Sequence, residues 1–137
     1  MTSRSDADPR LGLTVTHRRY VPYSHAHYAD HLVDGAYSLG LFGDVATEVC
    51  IRTDGDEGLF ASYSDVQFKA PVRAGDVLEV EAVVTRVGTR SRTLGLVVRI
   101  VCRGRPDLGA STAEVLVEPL VATTATGTVV VPSVSTS

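Results

Sequence analysis

Residues 32–52 read LVDGAYSLGLFGDVATEVCIR, apolar almost all the way round a helix yet carrying two acids one turn apart, Asp44 and Glu48. A helix that is apolar on every side expects to be enclosed by protein. Carboxylates on such a helix are costly to bury, so their presence implies a cavity beside them. The pattern predicts a helix capped by Asp34, whose side-chain oxygen can accept first-turn amides. The turn chemistry of residues 53–58 ends it near Arg52. Gly35, Gly40 and Gly43 each weaken a helix by about 1 kcal/mol relative to alanine. They predict that another backbone, here a sheet, comes close.

Outside this segment the pattern changes to period two. Strands are expected over residues 11–20, 59–69, 77–87, 92–103 and 120–131. A loop over residues 21–31 holds His25, His27, Tyr28 and His31, and residues 88–91 make a hairpin turn. The long connection after Arg103 contains Ser111-Thr-Ala-Glu114, whose capping-box spacing predicts a short helix. Strand, loop, long helix and then an antiparallel run of strands is an α+β arrangement. Residues 1–10 and 133–137 are expected to be flexible ends around one domain, 11–132. A single sheet curled round one helix leaves a strand edge open, and pairing two subunits would cover it, so a homodimer or higher homo-oligomer is expected.

Composition narrows the partners. With 137 residues, 13 basic and 16 acidic side chains and a net charge of −3, nothing points to nucleic acid or a membrane surface. No apolar run reaches transmembrane length and the start of the chain does not read as a signal peptide. Cys50 and Cys102 read as reduced packing residues of a cytoplasmic protein.

One long helix against a sheet, with acids facing a cleft, points to acyl-thioester chemistry. Asp44 and Glu48, at i and i+4, share a helix face with Cβ atoms about 5–6 Å apart. Mutual repulsion should raise one pKa towards a value useful for proton transfer. Asp44 is the expected principal acid/base, and Glu48 its partner or the binder of a substrate ammonium. The unpaired amides near Gly35 and Ala36 can stabilise a developing oxyanion. His27 and Tyr28 precede the helix and can contact substrate or donate a proton. Arg90, Ser91 and Arg92 crowd a hairpin tip and offer an anion site. The spacing of His25, His27 and His31 invites zinc, but spacing alone is weak and no cysteine completes the set, so no metal or cofactor is expected.

The turn Phe68-Lys-Ala-Pro71-Val-Arg-Ala-Gly75-Asp76 resembles the strand-turn signature of hotdog-fold acyl-CoA proteins. Other segments resemble the 3-aminobutyryl-CoA and β-alanyl-CoA ammonia-lyase family more specifically. They are His27-Tyr28, Leu32-Val-Asp-Gly-Ala36, Leu41-Phe-Gly-Asp-Val-Ala-Thr-Glu48, Asp54-Gly-Asp56 with Leu59-Phe60, Ser91-Arg92, and Ala125-Thr-Gly-Thr-Val-Val-Val-Pro132. The resemblance spans about residues 18–132 and departs from the family in a histidine-rich stretch around His25. It implies a hotdog fold, with the curved antiparallel sheet wrapped round the central helix. It also implies reversible loss of ammonia from a β-aminoacyl-CoA without a metal or prosthetic group, and a CoA arm lying near the Arg90–Arg92 turn. The alternative on the same fold is an acyl-CoA thioesterase, with Asp44 activating water; a third is a catalytically silent acyl-CoA binding or assembly protein.

Overall fold

The structure is a computed structural model and describes residues 8–132. The elements run β1 (Thr14–Tyr20), α1 (Gly35–Asp54), β2 (Leu59–Phe68), β3 (Val77–Val87), β4 (Ser91–Gly104) and β5 (Ala113–Val130). Two short 3-10 turns, Tyr23–His25 and Ala29–His31, lie in the loop before α1. All five strands pair antiparallel in one sheet, in the order β1-β3-β4-β5-β2. This is the expected α+β hotdog arrangement. β1 and β2 are its two edges, unpaired on their outer sides. Of the expected flexible ends, residues 1–7 and 133–137 lie outside the described residues. Arg10 is anchored, donating to Asp8 and Asp54.

The helix packs on the sheet through one stripe. Leu41, Phe42, Val45, Ala46, Val49 and Cys50 are buried at i, i+1, i+4, i+5, i+8 and i+9. They meet the inward alternation of Leu78, Val80, Ala82 and Val84 on β3 and Leu94, Leu96, Val98 and Ile100 on β4. Burying a side chain of this size stabilises by about 1.5–3 kcal/mol, so this stripe sets the register of helix on sheet.

Within a single chain the sheet encloses α1 on one side. Ala36, Gly40, Asp44, Thr47 and Ile51 form an exposed stripe on the far face of α1. A Cβ at Gly40 or Gly43 would meet nothing within 4 Å, so the sheet does not explain those two glycines. Gly35 does meet the expectation in another form: a Cβ there would lie 2.6 Å from the Phe68 ring. The helix also runs to Asp54 rather than Arg52, closed by Gly55 in the left-handed region (φ 64°) with its amide on the Ile51 carbonyl at 2.9 Å.

The expected short helix at residues 111–114 does not form. The strand expected from residue 120 begins instead at Ala113, paired through Gly104↔Ala113 and Cys102↔Val115. Pairing with β4 satisfies the backbone of this segment, and β-branched Val115 and Val117 fit a pleated surface better than a helix. Pro119 is accommodated where the register shifts between Ile100 and Cys102. Cys50 and Cys102 are both free thiols. Among the described residues no helix is long and apolar enough to cross a membrane.

Candidate active site

The start of α1 is tied to the turn between β2 and β3. Leu32 bridges Arg73, and the Val33 amide donates to the Val72 carbonyl at 2.9 Å. The turn itself is held by Asp76, only 1% exposed, which accepts from the Arg73 amide (2.7 Å) and from Arg103 Nη2 (2.8 Å). Between turn and helix start lies a cleft of about 490 Å³, lined by Tyr28, Asp34, Gly35, Ser38, Phe68, Lys69 and Thr123 among others.

Several polar groups converge on it. Asp34 is the N-cap residue by position, but its side chain makes no capping bond, contrary to expectation. The Tyr37 amide donates to the Asp34 carbonyl at 3.2 Å, which leaves Gly35 and Ala36 as the first-turn amides without a helical partner. Ser38, one turn on, lines the same cleft as Asp34. It is 2% exposed, as is Thr123, whose hydroxyl donates to Ser38 Oγ at 3.3 Å. Thr123 reaches this position because β5 carries an irregularity: Val98 pairs Thr123 but Arg99 pairs Val121. Ala122 and Thr123 are therefore buried in succession, which a regular strand cannot do.

The other expected site residues sit elsewhere. Asp44 is nine residues beyond Gly35, about 13 Å along the axis. It is exposed and lines a separate cleft of about 370 Å³ with Thr16, His17, Arg18 and Arg19 of β1. Glu48 does not pair with Asp44 in function-ready isolation. It accepts from Arg52 Nε at 2.7 Å and lies 2.8 Å from His17 Nε2. Arg52, then His17, hold its carboxyl below the ordinary range. His17, on β1, is thus Glu48's partner.

His27 stacks edge-on against Tyr28 with ring centroids 4.6 Å apart and is not among the cleft's lining residues. His25 packs on Tyr37 and His31 on Tyr23, so the three histidines serve three different tyrosines. No group of three or more histidine, cysteine or acidic side chains among the described residues is placed to hold a metal.

Arg90, Ser91 and Arg92 lie at the opposite end of α1 from the cleft, about 28 Å away by helix rise. A third hollow, about 440 Å³, lies there, lined by Arg10, Asp54, Arg90 and Arg92 among others. Arg92 is 2% exposed and its guanidinium makes four bonds within the chain: Nε and Nη2 to Asp54 (3.1 and 2.8 Å), Nη1 to the carbonyls of Gly88 and Ser91 (3.0 and 2.8 Å). Arg90 donates to the Val131 carbonyl at 3.2 Å and keeps an exposed head. Sequence reasoning did not single out Ser38, Thr123, Phe68 or Lys69 as site residues. Phe68 and Lys69 stood in the quoted turn; Ser38 and Thr123 carried no signal, since the strand irregularity that joins them is not visible in residue types.

Comparison with known proteins follows the same lines. The model of the Thioesterase superfamily matches residues 32–100. The chain is 52% identical over 107 residues to 3-aminobutyryl-CoA ammonia lyase of Acetoanaerobium sticklandii, covering 78% of this chain and 85% of that one. The solved β-alanyl-CoA:ammonia lyase of Clostridium propionicum superposes with a TM-score of 0.83 at 32% identity, covering 88% of this chain and 86% of that one. A hexameric broad-specificity acyl-coenzyme A thioesterase, solved as a mutant, gives a TM-score of 0.69 at 16% identity over 89% and 81% of the two chains, a likeness of fold. The chain belongs to the thioesterase superfamily of hotdog-fold proteins, in the family that holds 3-aminobutyryl-CoA ammonia lyase.

Proposed function

We propose that this protein eliminates ammonia reversibly from a short β-aminoacyl-CoA such as 3-aminobutyryl-CoA, giving a 2-enoyl-CoA. The observation that carries the reading is the helix-start cleft, where free amides, a carboxylate and two hydroxyls meet. The thioester oxygen sits at the amides of Gly35 and Ala36, where enolate charge is stabilised as it develops. The Asp34 carboxylate takes the α-proton. The β C–N bond breaks with its electron pair going to nitrogen, so an ammonium substituent departs as neutral ammonia. Asp34 then returns its proton to that ammonia, and ammonium leaves. One carboxylate balances the protons in both directions, and these steps invoke no prosthetic group.

Charge considerations support this placement. An ammonium near a helix start is disfavoured by about 0.3–1 kcal/mol. A carboxylate about 4 Å away offsets this with about 4 kcal/mol at an effective dielectric near 20. Ser38 is the last helix residue lining the cleft, so the walls span only Asp34 to Ser38, about 6 Å of helix. That depth suits a three- or four-carbon acyl group. Tyr28 and Lys69, exposed at the mouth, are placed to meet the CoA arm.

Asp44 and Glu48 fit the same chemistry only in a site shared between protomers. Asp44 lies on the exposed helix stripe, where a second copy can reach it, and the open edge of β2 offers the pairing surface for a homodimer or larger homo-oligomer. Free thiols at Cys50 and Cys102 accord with a cytoplasmic enzyme.

The test is incubation with crotonyl-CoA and ammonium, following enoyl absorbance and free thiol separately. Loss of enoyl signal without thiol release is the expected result. Thiol release instead would make the protein a thioesterase and overturn the reading.

A further inference from the structure

Ser38 and Thr123 are a buried polar pair where α1 meets β5. Burying a hydroxyl is unfavourable unless it is bonded. Their mutual bond, at 3.3 Å, is longer than the 2.7–2.8 Å usual for two hydroxyls. Both are 2% exposed, both line the helix-start cleft, and they approach from opposite walls, one from α1 and one from β5. The irregular register at Ala122–Thr123 is what turns the threonine inward.

Each hydroxyl has one proton and two lone pairs. After Thr123 donates to Ser38, lone pairs remain on both oxygens. With an oxygen of Asp34, which lines the same cleft, the cleft offers three acceptors. A primary ammonium has three donors. An unsubstituted alkyl or enoyl group has none.

We propose that the Ser38–Thr123 hydroxyl pair is the amine-recognition site, holding the β-ammonium of the substrate and thereby setting the preference for β-amino over unsubstituted acyl groups. The proposal rests on the ammonia-lyase reading for its substrate class, but it is tested by binding rather than turnover. The probes are two unreactive thioethers, S-(3-aminobutyl)-CoA and S-butyl-CoA, titrated by calorimetry into the wild type, Thr123→Val, Ser38→Ala and Thr123→Ser. Melting curves check that each variant folds.

The wild type should bind the amino compound at least about tenfold more tightly, the worth of one charge-assisted hydrogen bond. Thr123→Val and Ser38→Ala should lose most of that preference while keeping S-butyl-CoA affinity within about twofold, and Thr123→Ser should retain the preference. A merely structural hydroxyl pair would shift melting temperature and leave the ratio of affinities alone. A wild type that does not distinguish the two thioethers, or a preference that survives in folded Ser38→Ala and Thr123→Val, overturns the proposal. If Thr123→Val does not fold, Ser38→Ala decides. A protein that prefers the amino thioether yet hydrolyses crotonyl-CoA would sink the lyase reading and leave amine recognition standing.

Discussion

Arg92→Met is expected to unfold well before the wild type, with a loss of about 3–5 kcal/mol, the usual consequence of breaking a buried ion pair from one side. For a domain of this size the melting temperature should drop by roughly 10–20 °C. The guanidinium is 2% exposed and bridges the end of α1, through Asp54, to the turn between β3 and β4, through the carbonyls of Gly88 and Ser91. Methionine fills the space but leaves Asp54, itself only 15% exposed, with Arg10 and the Thr53 hydroxyl. Arg92→Met combined with Asp54→Leu should recover much of the loss, because neither charge is then stranded. A phosphate anchor would behave otherwise. Loss of such a group raises KM for every CoA thioester and leaves the melt unchanged, and that outcome would restore Arg92 to the CoA role read from sequence.

The same cluster sets an acid limit. Burial would push the Asp54 carboxyl up, but Arg92, Thr53 and Arg10 together more than offset it and hold it below the ordinary range. Asp8, bonded by the Arg10 side chain and amide, is lowered to about 2. A carboxyl depressed by folding contributes its stability above the unfolded value, about 3.9, and loses it as pH falls through the folded value. The melting temperature should therefore hold from neutrality to about pH 4 and decline below it. In Arg92→Met the decline should be shallower, since part of the depression of Asp54 is gone.

The helix was legible because its inward stripe, Leu41 to Cys50, is apolar at the right spacing, and the strands because Val77–Val87 alternates cleanly. What residue types do not carry is placement across long separations. Arg92 and Asp54 are 38 residues apart, and only the folded sheet shows that the arginine faces inward. Asp44 and Glu48 were read as a pair by spacing, but the strand that packs beside them brings His17 to Glu48, and tertiary contact reassigns the charge. The outer face of α1 gave no clear sign of its surroundings, because alanine, glycine and threonine are tolerant of either environment. Thr123 was invisible for a different reason: strand irregularities are set by pairing, and pairing is decided by partners, here Val98 and Arg99.

Asp34→Asn is expected to lower kcat for ammonia elimination by about 10²- to 10⁴-fold, the range that a positioned proton acceptor contributes. The substitution is clean. Asparagine is as good an N-cap residue as aspartate, and Asp34 makes no capping bond to lose, so the melting temperature should stay within a few degrees. Affinity for crotonyl-CoA, which carries no ammonium, should also hold, because the amides of Gly35 and Ala36 remain. The split separates a base from a scaffold residue: a scaffold residue would move melt and affinity together. Asp44→Asn is the matched control, made on the exposed stripe about 13 Å further along the helix. If Asp34→Asn retains more than about a tenth of wild-type turnover, an effect too small for a general base, while Asp44→Asn is inert, the base lies on the outer face of α1. The site would then be one that a single protomer cannot assemble, completed only where the exposed stripe of α1 meets a neighbouring subunit.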